Sequence, residues 1–263
     1  MSNAYASRRS GLSLLLHNRL ASLGALILLL ATATALLAPW LPLPDPDATD
    51  LLQRLAPPLT PGHLLGTDGL GRDMLSRLLW GTRVSLAVGL SATLLAATIG
   101  TLIGLVAGYA AGRTDGLLMR LIDMIMAFPY ILLALAIVAV LGPGLLNALY
   151  AIALVNIPFF ARNVRGQTLS LRDSPFIQAA RLAGKNHLQI LLTEILPNVL
   201  PTVGAFALIG VANLIVAEGA LAFVGASDPN QPSWGVMINQ GRDQLDRAPH
   251  IVLFPAMMIF LTV

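Results

Sequence analysis

Residues 84–111 run for 28 positions without one charged side chain. As a helix rising about 1.5 Å per residue this stretch is roughly 42 Å long, more than the ~30 Å hydrocarbon core of a bilayer. In lipid every backbone N–H and C=O must be satisfied within the protein, so such a run is read as a membrane-crossing helix. Residues 20–38, 124–141 and 145–161 repeat the pattern, 199–226 does so apart from Glu218, and residues 251–263 begin it again. Thirteen residues cover only roughly 20 Å, so the sequence is read as stopping inside its last helix. The expected fold is therefore all-α: a polytopic membrane protein of six transmembrane helices, the last of them cut short.

Composition excludes the main alternatives. With 56% hydrophobic residues, 11% charged and a mean hydropathy of +0.76, the 263 residues are too apolar for a soluble globule. Cysteine is absent, which excludes a disulfide framework, a thiolate metal site and a catalytic thiol. A net charge of +3 and a pI near 9.8 would point a soluble protein to nucleic acid. Here the basic residues flank apolar spans and orient the chain instead, so nucleic acid is not an expected partner.

The orientation follows from the cations. With the N-terminus inside, Arg8, Arg9, Arg19, Arg113, Arg120, Arg162, Arg165, Arg172, Arg181 and Lys185 fall inside, while Arg54, Arg72, Arg77, Arg83, Arg242 and Arg247 fall outside. Ten against six favours that topology. A cleaved signal peptide competes for residues 20–38, but the apolar run exceeds the usual ~7–15 residues. Ser7-Arg8-Arg9 is a weak twin-arginine look-alike. Residues 39–83 and 227–249 become external loops. Within the first, Leu70, Met74, Leu75, Leu78 and Leu79 form a stripe, and Asp68 with Arg72 and Asp73 with Arg77 are spaced for i,i+4 pairs. That predicts an interfacial helix over 66–80 with Trp80 at headgroup level. Gly100, Gly104, Gly108 and Gly112 recur every fourth residue, a groove for close helix packing, internal or between subunits. Pro129 predicts a kink in the third span.

Residues 174–197, SPFIQAARLAGKNHLQILLTEILP, stand apart as a helix pair on the inner surface. Ser174 can cap a helix that starts at Pro175, and Gly184 offers the left-handed residue that ends it after about two and a half turns. Phe176, Ala179, Ala180 and Ala183 share one flat apolar face, while Gln178, Arg181 and Lys185 point elsewhere. Spacing alone leaves two readings open: a helix seated in a groove of another protein, or an amphipathic turn on the bilayer.

Gln178-Ala179-Ala180, Gly184 four residues on, and Leu196-Pro197 resemble the EAA loop of ABC importer permeases, E-A-A-x3-G-x9-I-x-L-P. The sequence departs where Gln178 replaces the usual Glu and Glu194 the usual Ile. Leu65-Gly66-Thr67-Asp68, Leu70-Gly71-Arg72-Asp73 and Ser76-Arg77 resemble the segment before the second helix in a permease subunit of dipeptide, oligopeptide and nickel importers. The run from Ala217 to Gly225 and Pro232-Ser233-Trp234-Gly235 carry the same likeness. The resemblance implies a type I ABC importer permease fold. Residues 1–83 would form the first span and its loop, and residues 84–263 the core, with a coupling loop at 162–197. It further implies docking on an ATPase through Phe176, Gln178, Ala179, Ala180, Arg181, Gly184, Lys185, Leu196 and Pro197. The implied partners are a second homologous permease, two cytoplasmic ATP-binding subunits that hold ATP and Mg, an extracytoplasmic solute-binding protein and membrane lipid. The implied location is the bacterial inner membrane, and the implied cargo is peptide, with nickel or a metal chelate as the alternative.

No catalytic constellation emerges, and no cofactor is expected in this chain. Lys185, the sole lysine, lacks Walker A spacing. His17, His63, His187 and His250 lack metal-ligand spacing and read as surface or loop residues. Asp123 is expected to pair with Arg120 at an inner span end. Glu218 lies within a span, where an ionisable group is costly. It either braces two helices or meets cargo, and a proton-coupled carrier built on it is the competing class of mechanism.

Overall fold

The computed structural model describes residues 18–263, so the basic stretch with Arg8, Arg9 and His17 lies outside the described residues. Asn18 caps helix α1 (Arg19–Leu37), its side chain accepting from the N–H groups of Leu20 and Ala21 at 3.1 and 3.3 Å. Leucines cover its outer surface and only Ala31 is buried, as suits a helix whose solvent is lipid. Among the described residues there is no strand; two isolated bridges, Thr60 with His63 and Thr67 with Asp73, pin the loop that follows.

That loop corrects the interfacial-helix expectation. Gly66 and Gly71 have φ of +78° and +75°, and a Cβ on Gly71 would lie 1.8 Å from the Asp50 carbonyl oxygen, so residues 66–73 form turns. Asp73 then caps α2 (Met74–Ala110), accepting from the Ser76 N–H at 2.7 Å. The helix continues through residue 84 without a break. Asp68 and Arg72 do pair, Nε to Oδ2 at 2.7 Å, across a turn. Asp73 instead meets His63 Nδ1 at 2.8 Å. The Arg77 guanidinium, 1% exposed, reaches the Pro46 carbonyl, Asp47 and Gln240 at 3.0 to 3.2 Å. Spacing of i,i+4 was a property of the sequence here, and tertiary partners decided its use.

From Ala110 the chain turns into α3 (Gly112–Met126), breaks at 127–129 and continues as α4 (Tyr130–Leu141). The two are bent by 86°, a break where Pro129 predicted a kink. Asp123 pairs with Arg162 rather than Arg120, and Asp115 takes Arg165 in a two-pronged pair, so α3 is tied to α5 (Leu145–Arg172). Asn147 closes the turn from α4, donating to the Leu141 and Gly142 carbonyls at 3.1 and 3.0 Å.

Helices α2 and α5 run parallel and nearly touch. A Cβ on Gly100, Gly104 or Gly108 would come to 2.6 Å of Phe160 Cβ, the Ala161 oxygen or Thr168 Cβ respectively. The glycine row is thus internal packing, and Gly112, with nothing within 4 Å, is outside it. After α6 (Pro175–Leu182) comes α7, a 37-residue rod (His187–Phe223) antiparallel to α2, with Gly89 against Ile215 and Gly210 against Thr93. Its π-helical turn Ile190–Ile195 precedes Pro197 and Pro201, residues that cannot donate to the helix ladder. Helices α8 (Trp234–Gly241) and α9 (His250–Thr262) close the opposite end, where His250 is buried with Nε2 3.2 Å from the Thr67 oxygen. Burial corrects its reading as a surface residue.

Among the described residues four helices (α1, α2, α5 and α7) are long and apolar enough to cross a membrane, and the bent α3–α4 pair makes up to five. The 13-residue α9 is the further apolar segment. Gly104→Ala should lower the melting temperature in detergent, because overpacking costs about 1–3 kcal/mol. Gly116→Ala, with open space around it, should hold or raise it through helix propensity. Equal shifts at the two sites would contradict the close α2–α5 contact.

Candidate functional site

The site sits at the end of the bundle where α2 and α5 finish and α7 begins. Pro175 opens α6, its missing N–H costing nothing at the first position. The Ser174 side chain makes no cap bond, contrary to expectation; its carbonyl accepts from the N–H groups of Ile177 and Gln178, both at 3.1 Å. Gly184, at φ +84°, ends the helix with the Lys185 N–H on the Ala180 carbonyl and its own N–H on that of Arg181, at 3.1 and 3.0 Å. Those two bonds form a Schellman stop, and eight residues make just over two turns.

The faces differ from the sequence reading. Ile177 and Ala180, three apart, point inward onto Phe160, Val164, Ile190, Ile195 and Val199. Fully burying an Ile side chain contributes about 1.5–3 kcal/mol, so Ile177 is the peg that seats the helix. Ala180 is thereby removed from the outward face to which the spacing assigned it. Phe176, Ala179 and Ala183 stay outward, joined by Leu182 at 91% exposure. Gln178 is exposed and donates to the Asp173 carbonyl at 3.1 Å.

Polar contacts fix the turn after α6. Lys185 Nζ donates to Thr193 Oγ1 at 3.2 Å and forms an ion pair with Glu194. The Glu194 that departs from the usual motif therefore has its partner in the only lysine. A capping box at Asn186, with Gln189 as the reciprocal residue, starts α7. Arg181 lies over the Tyr109 ring, 5.8 Å from its centroid, and the Tyr109 hydroxyl meets His187 Nδ1 at 2.9 Å. Leu196 is half-buried against the same core, and Pro197 is exposed on the first turn beyond the π segment. Sequence reasoning missed Ile177, Leu182 and Tyr109. The first was findable, since Ile177 and Ala180 make an i,i+3 pair, but Tyr109 is 72 or more residues from its partners.

Glu218 is not brought to this end. It lies 21 residues beyond Pro197 on α7, roughly 32 Å along the axis. There its carboxylate, 1% exposed, accepts from Ser233 Oγ at 2.7 Å, while Ser233 caps α8 by accepting from the Val236 N–H at 3.2 Å. The neighbouring Trp234, fully buried, donates its backbone N–H to Ser85 Oγ and its Nε1–H to the Leu78 carbonyl, at 3.2 and 3.3 Å. Glu218 thus joins α7 to α8, and Trp234 joins α8 to α2. Among the described residues no three His, Asp or Glu side chains converge as metal ligands.

Comparisons with known proteins agree with this architecture. The family described as "Binding-protein-dependent transport system inner membrane component" matches residues 100–263, and "N-terminal TM domain of oligopeptide transport permease C" matches residues 12–58. The chain is 41% identical over 249 residues to a Pectobacterium atrosepticum glutathione transport system permease protein, covering 94% of this chain and 83% of that one. It is 42% identical over 248 residues to its Escherichia coli O157:H7 namesake, covering 94% and 82%. Two inward-facing crystal forms of the MetNI methionine ABC transporter share the fold. They have TM-scores of 0.58 and 0.60 at 21% and 20% identity, over 72% of this chain and 91–92% of theirs. The fold is that of a type I ABC importer permease, and the chain belongs to the family of inner-membrane permease components of binding-protein-dependent transport systems.

Proposed function

We propose that this chain is one of two homologous permeases of an ATP-driven importer for small peptides, and that α6 is the seat of its ATPase. The observation that carries the reading is the two-faced helix: Ile177 and Ala180 anchor it to the bundle, while Phe176, Ala179, Leu182 and Ala183 remain bare at one end. A short helix with an apolar outer face suits a groove on a partner. Gln178 holds the start of α6 through the Asp173 carbonyl, Arg181, Gly184 and Lys185 hold its end, and Leu196 and Pro197 follow on α7. ATP and Mg belong to two partner ATPase subunits, and a solute-binding protein delivers cargo at the other end. Peptide is favoured over nickel because the relatives are named for glutathione transport.

Charge supports the sidedness. Arg113, Arg120, Arg162, Arg165, Arg172, Arg181 and Lys185 gather at the α6 end, while Asp45, Asp47, Asp50, Asp68, Asp73, Asp228, Asp243 and Asp246 lie in the segments at the other. Excess Lys and Arg marks the inner side, and on that rule we infer that α6 and the N-terminus face the cytoplasm. On this reading residues 1–83 supply the N-terminal cytoplasmic segment, the first span and its outer loop, and residues 84–263 the core, with the coupling loop at 162–197.

In this mechanism the chain breaks no bond. Closure of the ATPases displaces α6, the core beneath Ile177 passes the displacement to α5 and α7, and the cavity between the permeases changes its opening. Cargo moves because the two states bind it differently.

Leu182→Asp should strip the ATPase from the purified complex, leaving the melting temperature of the permease within about a degree. Normal co-purification and uptake would refute docking through this face. For Glu218, the Gln variant keeps an acceptor oxygen for Ser233 and should retain uptake within about twofold. Glu218→Ala should cost about 1–3 kcal/mol of stability by leaving the buried hydroxyl unpaired. A collapse of uptake in the stable Gln variant, with dependence on a proton gradient, would favour a proton carrier instead.

A further inference from the structure

Tyr109 is placed in the last turn of α2 and touches the coupling segment on both sides of the Gly184 turn. Toward α6, its ring faces the Arg181 guanidinium at 5.8 Å from the centroid, within the range of a cation–π contact. Toward α7, its hydroxyl stands 2.9 Å from His187 Nδ1, and the two rings meet edge to face at 65° with centroids 5.6 Å apart. Arg181 lies in the last turn of α6, and His187 is the first residue of α7. One half-buried side chain therefore holds the last turn of one element and the first of the next.

The position matters because α2 is not next to the coupling segment in the chain. Sixty-four residues separate Ala110 from Pro175. The Lys185–Glu194 pair ties the Gly184 turn to α7, but it does nothing for α2. Helix α2 is also locked to α5 through Gly100, Gly104 and Gly108, where no Cβ fits. A push delivered to α2 is thus a push on the α2–α5 pair.

We propose that Tyr109 is a positioning residue for coupling: it makes the inner end of α2 follow α6, so that ATPase closure moves the α2–α5 pair and α7 together. This rests on the reading of α6 as the ATPase seat. The Tyr109 contacts supply the link on the α2 side.

The test uses the complete importer in proteoliposomes, with both permeases, ATPases and binding protein, offered an equimolar pool of glutathione and di- and tripeptides. Uptake is read by mass spectrometry and divided by ATP hydrolysed. Tyr109→Leu, which removes the ring and the hydroxyl, should keep ATP hydrolysis within about twofold and ATPase subunits at full occupancy. It should move at least about fivefold less cargo per ATP, with the half-saturating concentration of binding protein unchanged. Tyr109→Phe keeps the ring for Arg181 and loses only the His187 contact, and its ratio should fall between those of wild type and Leu. An unchanged ratio in Tyr109→Leu would overturn the proposal. So would loss of ATPase occupancy or of hydrolysis in parallel with uptake, since that would make Tyr109 part of the docking seat. Failure of the α6 reading itself shows separately, as a Leu182→Asp complex that still holds its ATPases.

Discussion

The contact between α2 and α5 sets the rest of the structure. Gly100, Gly104 and Gly108 let two parallel helices approach until a single added carbon would meet backbone or Cβ at 2.6 Å. In lipid there is no hydrophobic force to push helices together, so close backbone packing of small residues is the main adhesive. Parallel neighbours also need a return path, and the bent α3–α4 segment supplies it, with Asp115 and Asp123 tethered to Arg165 and Arg162 of α5. Once that pair is fixed, α7 packs antiparallel to α2. The ends of α2 and α5 and the beginning of α7 then fall together, and α6 rests where they meet.

The two ends of the bundle are stabilised by different chemistry. At the α6 end the seat is apolar, Ile177 on the core of α5 and α7, with a few exposed polar contacts that fix geometry more than they add stability. At the opposite end buried polar groups and caps do the holding: Arg77 with the Pro46 carbonyl, Asp68 and Gln240, and Glu218 with Ser233 at the start of α8. Removing one member of such a buried set leaves its partner uncompensated, which is strongly destabilising.

Much of this was legible in the sequence. Long uncharged runs gave the membrane-crossing α1, α2, α5 and α7, because length and apolarity are local properties. The Pro175 start and the Gly184 stop of α6 were equally local and came out where the residues placed them. What failed depended on distant partners. Asp68–Arg72 and Asp73–Arg77 carried helix spacing, yet Gly66 and Gly71 turn the chain and His63, Asp47 and Gln240 claim the charges. The outward face of α6 was misjudged at Ala180 because an alanine fits either side of a helix. Only the core beneath, with Val164 and Ile190, shows which side is in. Glu218 stands out in the sequence as a carboxylate within an apolar run, but its partner Ser233 is fixed by the fold of α8 against α7.

The account turns on what meets the bare face of α6. The chain has no cysteine, so a single cysteine at Leu182 can carry a photo-cross-linker without background. Irradiating the assembled complex should join position 182 to an ATP-binding subunit, while the same probe at Leu64, on the opposite end, should not. An ATPase adduct from position 64, or adducts from position 182 to lipid or to the solute-binding protein alone, would contradict it.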